Sequence, residues 1–343
     1  MFPQRVTSLL LPAVAGAAMT FQLHAQQPPA RPGAPGSIPP GIGIEALPVR
    51  GNVYMLVGAG GNSTVQIGPQ GVLVVDTMRE SVAGDLVAAI NALSGGKPIR
   101  YVLNTHAHPD HTGGNLKVAE AGSQLVAGNF AGELGQAGAE TAFIVAHENV
   151  LNALSTPVAN QPPVPFGAWP TDTFFQMQKD MYFNGEAVQL LHVQNAHTDG
   201  DSLVFFRSSD VISAGDVYVT TRYPRIDLDR GGHVNGVIEG LNRIIDLAVS
   251  EQFTEGGTQI VPGHGRISDE MDVVEYRDMV TIVRDRVQDL IGRRKTLDEV
   301  TAARPTFDFD PRYGTDDSWT PAMFVEAIYG NLTAAPAAAG RAR

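Results

Sequence analysis

The residues with the clearest chemistry lie at positions 106–111, where three histidines and one aspartate occur within six residues. The chain of 343 residues has only 9 histidines, so chance does not readily produce such a cluster. Imidazole and carboxylate groups are the ligands that suit zinc and similar divalent metals. Alternate side chains of an extended segment share a face, so His106 and His108 could chelate one ion. Asp110 and His111 follow a proline, where the chain must turn, and could hold a second ion.

The same run resembles the H-x-H-x-D-H signature of the metallo-β-lactamase superfamily of metallohydrolases. That signature is specific when it follows an apolar strand and precedes a glycine-rich helix start. Residues 99–103 predict a short buried strand, and residues 112–115 predict the tight turn into a helix. Strands alternate with helices along the chain, which predicts an α/β fold. The resemblance implies the four-layer αβ/βα sandwich of the metallo-β-lactamase fold.

The resemblance also implies three further metal ligands, each after an apolar run that predicts a strand. His197 matches the first position, Asp216 in a Gly-Asp pair the second, and His264 in a Gly-His-Gly turn the third. Ligands that follow different strands can converge in space although they are far apart in sequence. By resemblance, Asp216 bridges two metals, one bound by His106, His108 and His197 and the other by Asp110, His111 and His264.

The activity that the resemblance implies is hydrolysis by a dinuclear zinc enzyme, in which iron or manganese could replace zinc. A metal-bridging hydroxide is available near neutral pH and would attack a small-molecule substrate. Asp110 would orient this hydroxide as the catalytic residue. The bond could be an ester, a lactone, a thioester or a lactam. Many true metallo-β-lactamases carry Cys or Ser where this chain has Asp216, whereas lactonases and hydroxyacylglutathione hydrolases carry Asp, so a β-lactam is the less expected substrate.

The N-terminus predicts export. Arg5 followed by the apolar residues 9–21 is typical of a signal peptide, with cleavage expected before Gln26. The apolar stretch is too short for a membrane anchor, so we expect a periplasmic or secreted protein. Residues 1–25 are thus assigned to the signal peptide, and the remaining chain is divided into a Pro/Gly-rich leader at 26–43, one hydrolase domain at 44–333 and a disordered tail at 334–343.

Three alternatives for the function stay open. A β-lactamase proper is one, because β-lactams are met outside the cytoplasm. A diiron oxidoreductase on the same fold is another, although such relatives carry an acid at the position of His108 and add a flavin domain. A non-catalytic metal-binding protein is the third, although degenerate relatives lose ligands that this chain keeps.

Composition limits the partners. The formal net charge of -12 argues against binding nucleic acid, whose phosphates demand Lys and Arg. The chain has no cysteine, which excludes thiolate zinc sites and disulfides. No sequence feature specifies an oligomeric state.

Several other residues could act in the site or only in the fold. Asp76 ends an early strand and is expected to orient a metal-binding imidazole. A structural role is expected for His147, placed in a predicted helix at 144–150, and for His192. The remaining candidates for substrate contact are His233, Tyr218, Arg222 and Arg225. Residues 157–170 carry five prolines and one tryptophan, and predict either a lid over the metals or a linker.

Overall fold

The computed structural model describes residues 38–39, 41–124, 141–157 and 162–334. The predicted signal peptide, most of the predicted leader and residues 335–343 of the predicted tail lie outside the described residues. No helix in the described ranges has the length and apolar character needed to cross a membrane.

The first sheet has seven strands in the order of the chain: β1 (Glu45–Arg50), β2 (Val53–Gly58), β3 (Gly61–Gly68), β4 (Gly71–Val75), β5 (Ile99–Leu103), β6 (Phe143–His147) and β7 (Asp172–Phe174). Strands β1 to β4 pair antiparallel, and β4 to β7 pair parallel. Strand β4 is buried along its whole length, as expected for an aliphatic strand covered on both faces.

The second sheet has five strands in the order β12-β11-β10-β9-β8: β8 (Gln178–Phe183), β9 (Glu186–His192), β10 (Ser202–Phe206), β11 (Val211–Ser213) and β12 (Gln259–Val261). The strands from β8 to β11 pair antiparallel, whereas β11 and β12 pair parallel. A parallel neighbour requires a crossover connection, which here contains a helix.

The described helices are α1 (Ala83–Ser94), α2 (Pro109–Thr112), α3 (Asn115–Glu120), α4 (Glu148–Ser155), α5 (Val234–Leu247), α6 (Glu270–Gly292), α7 (Leu297–Ala302), α8 (Asp310–Tyr313) and α9 (Pro321–Thr333). Helix α6 begins at a capping box formed by Asp269 and Asp272. The sequence predicts a long helix capped at residue 268 or 269 and ending near Arg294, and the structure agrees within two residues at its end. The buried residues of α6 follow helical spacing, so one face packs on the protein.

Three apolar clusters separate the layers. The middle cluster joins the inner faces of the two sheets and includes Leu73, Leu103 and Val204. A second cluster packs α1 and α3 on the first sheet, and the third packs α5, α6 and α9 on the second sheet. The order helix, sheet, sheet, helix confirms the predicted four-layer α/β sandwich.

The predicted helix at residues 144–150 is wrong in its first half. Residues up to His147 form β6, and α4 begins at Glu148. The aliphatic residues Ile144 and Val145 pair with β5 and are buried between layers. The buried strand position outweighs the local pattern because sheet pairing satisfies its backbone groups.

Candidate metal centre

All seven predicted ligands lie in segments that follow strands. The segment after β5 carries His106, His108, Asp110 and His111, the last two on α2. The other three, His197, Asp216 and His264, follow β9, β11 and β12. The loops after these strands converge, so side chains from four distant segments form a single cluster.

The cluster contains three groups of side chains whose ligand atoms lie close enough together to hold a metal ion, and one of them, formed by His106, His111 and Asp216, overlaps the other two. The ligand atoms of His106, His108 and His197 all lie within 4.8 Å of one another. The same holds for Asp110, His111 and His264. These groups match the two ligand sets that the resemblance implies.

Asp216 lies between the two groups. Its Oδ1 is 3.2 Å from His111 Nε2 and 3.3 Å from His264 Nε2, both in the second group. Its Oδ2 is 3.8 Å from His197 Nε2 of the first group. Each carboxylate oxygen therefore faces a different group, as expected for a bridging ligand.

Outer hydrogen bonds fix the ring tautomers of His106 and His111. Asp76 Oδ2 accepts from His111 Nδ1 at 2.8 Å and from the Thr105 hydroxyl at 2.7 Å. Because the Thr105 proton is given to Asp76, its Oγ1 accepts from His106 Nδ1 at 3.0 Å. In their neutral form both imidazoles thus present an Nε2 lone pair to the cluster, as metal binding requires.

Hydrogen bonds also fix the ring tautomers of His108 and His197. His108 Nε2 donates to Asp227 Oδ2 at 2.7 Å, and His197 Nδ1 donates to the Arg225 carbonyl at 2.6 Å. The opposite nitrogens, His108 Nδ1 and His197 Nε2, face each other at 2.8 Å. Two facing lone pairs repel, so a cation or a proton must lie between them.

The burial and charge of the cluster fit a divalent cation. His106 Nε2, His111 Nε2, His264 Nε2 and Asp216 Oδ1 are buried and have no hydrogen-bond partner among the described residues. Buried polar atoms without partners are costly, and metal ions bound by these side chains would satisfy all four. Burial and the neighbouring imidazoles also lower the pKa of His106 well below its usual value, so protons are poorly suited to this place.

Asp216 is ionised in this cluster. Burial alone would raise its pKa, but His264 and His111 lower the pKa of Asp216 well below its usual value. The same contacts, together with Asp76, raise the pKa of His111 against the effect of burial. The site therefore keeps its carboxylate charge available for metal binding.

The backbone around the ligands is tight. Asp76 adopts a left-handed conformation with φ of 60°, which few residues other than glycine tolerate. Gly263, directly before His264, lies so close to Asp216 Oδ1 that a Cβ there would overlap it. Asn62 Nδ2 donates to the Pro262 carbonyl at 2.9 Å and so attaches the β2–β3 hairpin to the same turn. Small side chains and cross-links hold the ligand loops at fixed distances.

Two arginines border the ligand carboxylates. Arg222 Nη2 is 3.2 Å from Asp216 Oδ2, and Arg79 Nη2 is 3.8 Å from Asp110 Oδ2. The Arg79 side chain is 59% exposed, so it can reach an incoming molecule. Together they add positive charge beside the cluster, where an anionic substrate group would be attracted.

The structure gives other roles to several candidates for substrate contact. Tyr218 is buried and its hydroxyl donates to Ser268 Oγ at 3.0 Å. His233 accepts from the Asn235 amide at 3.0 Å and caps α5. Arg225 stacks over Trp319 at 5.7 Å and does not touch the ligands with its side chain. Of the four candidates, Arg222 alone contacts a predicted metal ligand through its side chain.

The structural roles expected for His147 and His192 agree with their positions. The two rings stack at 3.7 Å with an angle of 3° between their planes. His147 Nδ1 also accepts from the Asn149 amide and caps α4. Burial and the adjacent His192 lower the pKa of His147 to about 4, so it is neutral at pH 7.

Part of the proline-rich segment packs beside the first ligand loop. Residues 158–161 of this segment lie outside the described residues. The Ala168 carbonyl accepts from Asn115 Nδ2 at 3.0 Å, and Trp169 packs on the cluster that contains Ala107. Ala107 separates His106 from His108, so the described part supports the ligand loop from the side.

Sequence reasoning missed Thr105, Asp227 and Arg230. Arg230 Nη1 is 3.2 Å from Asp227 Oδ2, which in turn orients His108. Burial alone would raise the pKa of Asp227, but the hydrogen bond from His108 and the Arg230 charge lower it. Asp227 and His108 are far apart in sequence, and no local pattern signals their contact. Thr105 directly precedes His106, so its place next to the motif was the one available signal.

Comparison with solved structures finds relatives of the same fold. The sec-alkylsulfatase Pisa1 from Pseudomonas sp. is 14% identical with a TM-score of 0.61, and the match covers 84% of this chain and 50% of the sulfatase. The chain thus spans about half the length of that enzyme. A metallo-beta-lactamase from Pontibacter korlensis is 14% identical with a TM-score of 0.49, and the match covers 69% of this chain and 99% of that protein. A comparison with curated protein sequences finds no match.

The family is shown by the sequence itself. The profile described as "Metallo-beta-lactamase superfamily" matches residues 56–265. This range contains all seven predicted ligands and all three groups that could hold a metal. The chain therefore belongs to the metallo-beta-lactamase superfamily of metal-dependent hydrolases.

Proposed function

We propose that the chain is an exported dinuclear zinc hydrolase that cleaves an ester, lactone, thioester or lactam bond of a small molecule. The observation that supports this most directly is Asp216, whose two oxygens face the two candidate metal groups. Imidazole and carboxylate ligands without thiolate suit zinc, and iron or manganese fit the same donors.

The residues in and around the cluster would have separate roles in such a reaction. Two divalent ions, when bound, would polarise the scissile bond and lower the pKa of water from 15.7 to about 7. Asp110 lies at the partly exposed side of the cluster, 3.6 Å from His264 Nε2, and would accept a hydrogen bond from the attacking water. Asp76 and Asp227 hold His111 and His108 in the ligand tautomer. Arg222 would hold Asp216 in place.

A sulfate monoester is a second candidate substrate. Arg79 and Arg222 place two guanidinium groups next to the cluster, and guanidinium binds planar and tetrahedral anions well. The alkylsulfatase shares the fold, which makes this substrate worth including in the test.

The test is turnover by the purified full chain after metal removal and after zinc addition. The substrates are a chromogenic cephalosporin, an acyl-homoserine lactone, a nitrophenyl ester, a thioester and nitrophenyl sulfate. We expect zinc to restore activity on at least one of them, and the His106→Ala and Asp216→Ala variants to lose it. Two bound zinc ions with no turnover of any carbonyl substrate would refute the carbonyl hydrolase proposal, and turnover of nitrophenyl sulfate alone would select the second candidate.

Export is tested separately. We expect the protein from a fractionated culture to be found outside the cytoplasm and to begin at Gln26 when its N-terminal sequence is read. A full-length cytoplasmic product would refute the export proposal without affecting the hydrolase proposal.

A further inference from the structure

A cavity of about 640 Å³ lies between α9 and the loop at residues 225–230. We call it the α9 slot, and its walls include Arg225, Asp227, Leu228, Trp319, Met323 and Glu326. Its volume falls in the range of small-molecule sites, roughly 300–1,000 Å³. Helix α9 lies outside the residues that match the superfamily profile, whereas the loop at residues 225–230 lies within them.

The walls of the α9 slot are fixed at both ends. At one end Trp319 Nε1 donates to the Pro224 carbonyl at 3.2 Å. At the other end Asn331 Oδ1 accepts from the Val234 amide at 2.9 Å, and its Nδ2 donates to the Gly232 carbonyl at 3.2 Å. A slot held at both ends is formed before any ligand arrives, which lowers the cost of binding.

The charges of the α9 slot are separated along its length. Arg225 lies over Trp319 at one end. Glu326 lies on α9, about 7.5 Å along the helix axis from its first residue, Pro321, and Trp319 precedes the helix. Asp229 lies towards the same end as Glu326, because its neighbour Leu228 approaches Gly330 on α9. The ion pairs around the slot are those of Arg222 and Arg230, and among the described residues none includes Arg225, Asp229 or Glu326.

Part of the wall of the α9 slot is apolar and open. Leu228 is 47% exposed and Met323 is 38% exposed, although both are large hydrophobic residues. Exposed apolar side chains in a concave place favour contact with an apolar ligand surface. The slot therefore offers a cation at one end, acids towards the other end and exposed apolar side chains on its wall.

We propose that the α9 slot binds a small zwitterion with an apolar middle. Its carboxylate would pair with Arg225, its ammonium group with Glu326 and Asp229, and its chain would lie on Leu228 and Met323. Asp227 forms part of the wall and also holds His108, so the ligand lies next to the metal centre without occupying it. The proposal does not depend on which bond the metal centre hydrolyses.

The fluorescence of Trp319 gives a readout that needs no activity. The chain has two tryptophans, so a Trp169→Phe background leaves Trp319 as the one emitter. The metal-free protein is titrated with 8-aminooctanoate, whose charged ends are roughly 10 Å apart when extended, and with octanoate and octylamine. We expect saturable binding that is tightest for 8-aminooctanoate. Each exposed ion pair contributes up to about 1 kcal/mol, or about fivefold in affinity.

Single-charge variants decide the orientation. Arg225→Gln should lower the affinity for 8-aminooctanoate about threefold to fivefold and leave the affinity for octylamine unchanged. Glu326→Gln should lower the affinity for 8-aminooctanoate by a similar factor and leave the affinity for octanoate unchanged. Glu239→Gln, an exposed acid on α5, is the matched control and should change nothing. Absence of saturable binding, equal affinity for all three probes, or equal affinity of all variants would overturn the proposal. Both replaced side chains are exposed, so loss of folding is not expected to obscure the result.

Discussion

Replacing Asp76 with Asn should weaken metal binding although Asp76 is not a predicted ligand. Asp76 Oδ1 accepts from the Thr105 amide at 2.8 Å, while Oδ2 accepts from the Thr105 hydroxyl and from His111 Nδ1. Asn has one acceptor oxygen and one donor nitrogen in the same place. Whichever way the amide is turned, a donor faces either the Thr105 amide or His111. In the second orientation His111 must move its proton to Nε2, the atom that should bind metal.

The size of the effect follows from these two outcomes. A buried donor without a partner costs about 1–3 kcal/mol in stability. Loss of an outer hydrogen bond to a metal-binding imidazole lowers metal affinity about 10- to 100-fold, which corresponds to about 1.4–2.7 kcal/mol. Asn tolerates the left-handed backbone of Asp76, so the substitution changes the carboxylate and not the chain path.

Zinc affinity measured by chelator competition and urea unfolding of the metal-free protein together test this expectation. Asp246→Asn, an exposed acid on α5, is the matched control and should leave both quantities unchanged. The free energy of unfolding should fall by about 1 kcal/mol more in Asp76→Ala than in Asp76→Asn, because Ala does not favour this left-handed backbone conformation. A zinc affinity of Asp76→Asn within twofold of the wild type would refute the assignment of Asp76 as the partner that fixes His111.

Two further substitutions test the tight packing and the buried imidazole pair. Gly263→Ala should reduce kcat/KM at least about 100-fold, because its Cβ would displace Asp216. Gly292→Ala is its control, since nothing lies within 4 Å of the added atom, and equal kinetics of the two variants would contradict the expected overlap. The pKa of His147 is about 4 in the folded state, which is below its value in the unfolded chain. Between about pH 4 and 6.5 the unfolded state therefore binds more protons than the folded state, and the wild type loses stability as the pH falls through this range. His147→Asn keeps the helix cap and should reduce that loss by about 2 kcal/mol after allowance for solvent screening. Urea unfolding at pH 4.5 and pH 7 measures the difference, and an unchanged pH dependence would show that the buried imidazole next to His192 is not its source.

The first ligand loop could be predicted because its chemistry is local. Four ligands fall between His106 and His111, and the strand before them has a clear aliphatic pattern. His197, Asp216 and His264 are recognised by their order after strands and by resemblance. The structure brings all seven together, and this depends on the parallel pairing of β11 with β12, which the order of the ligands along the chain does not reveal.

The hydrogen bonds that orient the predicted ligands could not be predicted because they join residues that are distant in sequence. Asp227 meets His108 only after the loop before α5 folds back on the first ligand loop. The short aliphatic run of β6 suits a helix as well as a strand, and only pairing with neighbouring strands decides between the two. Likewise, the opposite charges of Arg225 and Glu326 line one cavity only after α9 packs beside the loop that carries Arg225.

The distribution of the ligands along the chain fixes when the centre can assemble during synthesis. The first group needs His197 and the bridge needs Asp216, while the second group is incomplete until His264 has been made. A chain that grows from its N-terminus therefore completes the first sheet before any of the candidate metal groups that include His197, Asp216 or His264 is complete. Metal binding can stabilise the finished structure but cannot guide the folding of the first half, so early folding must depend on apolar burial in the first sheet and α1.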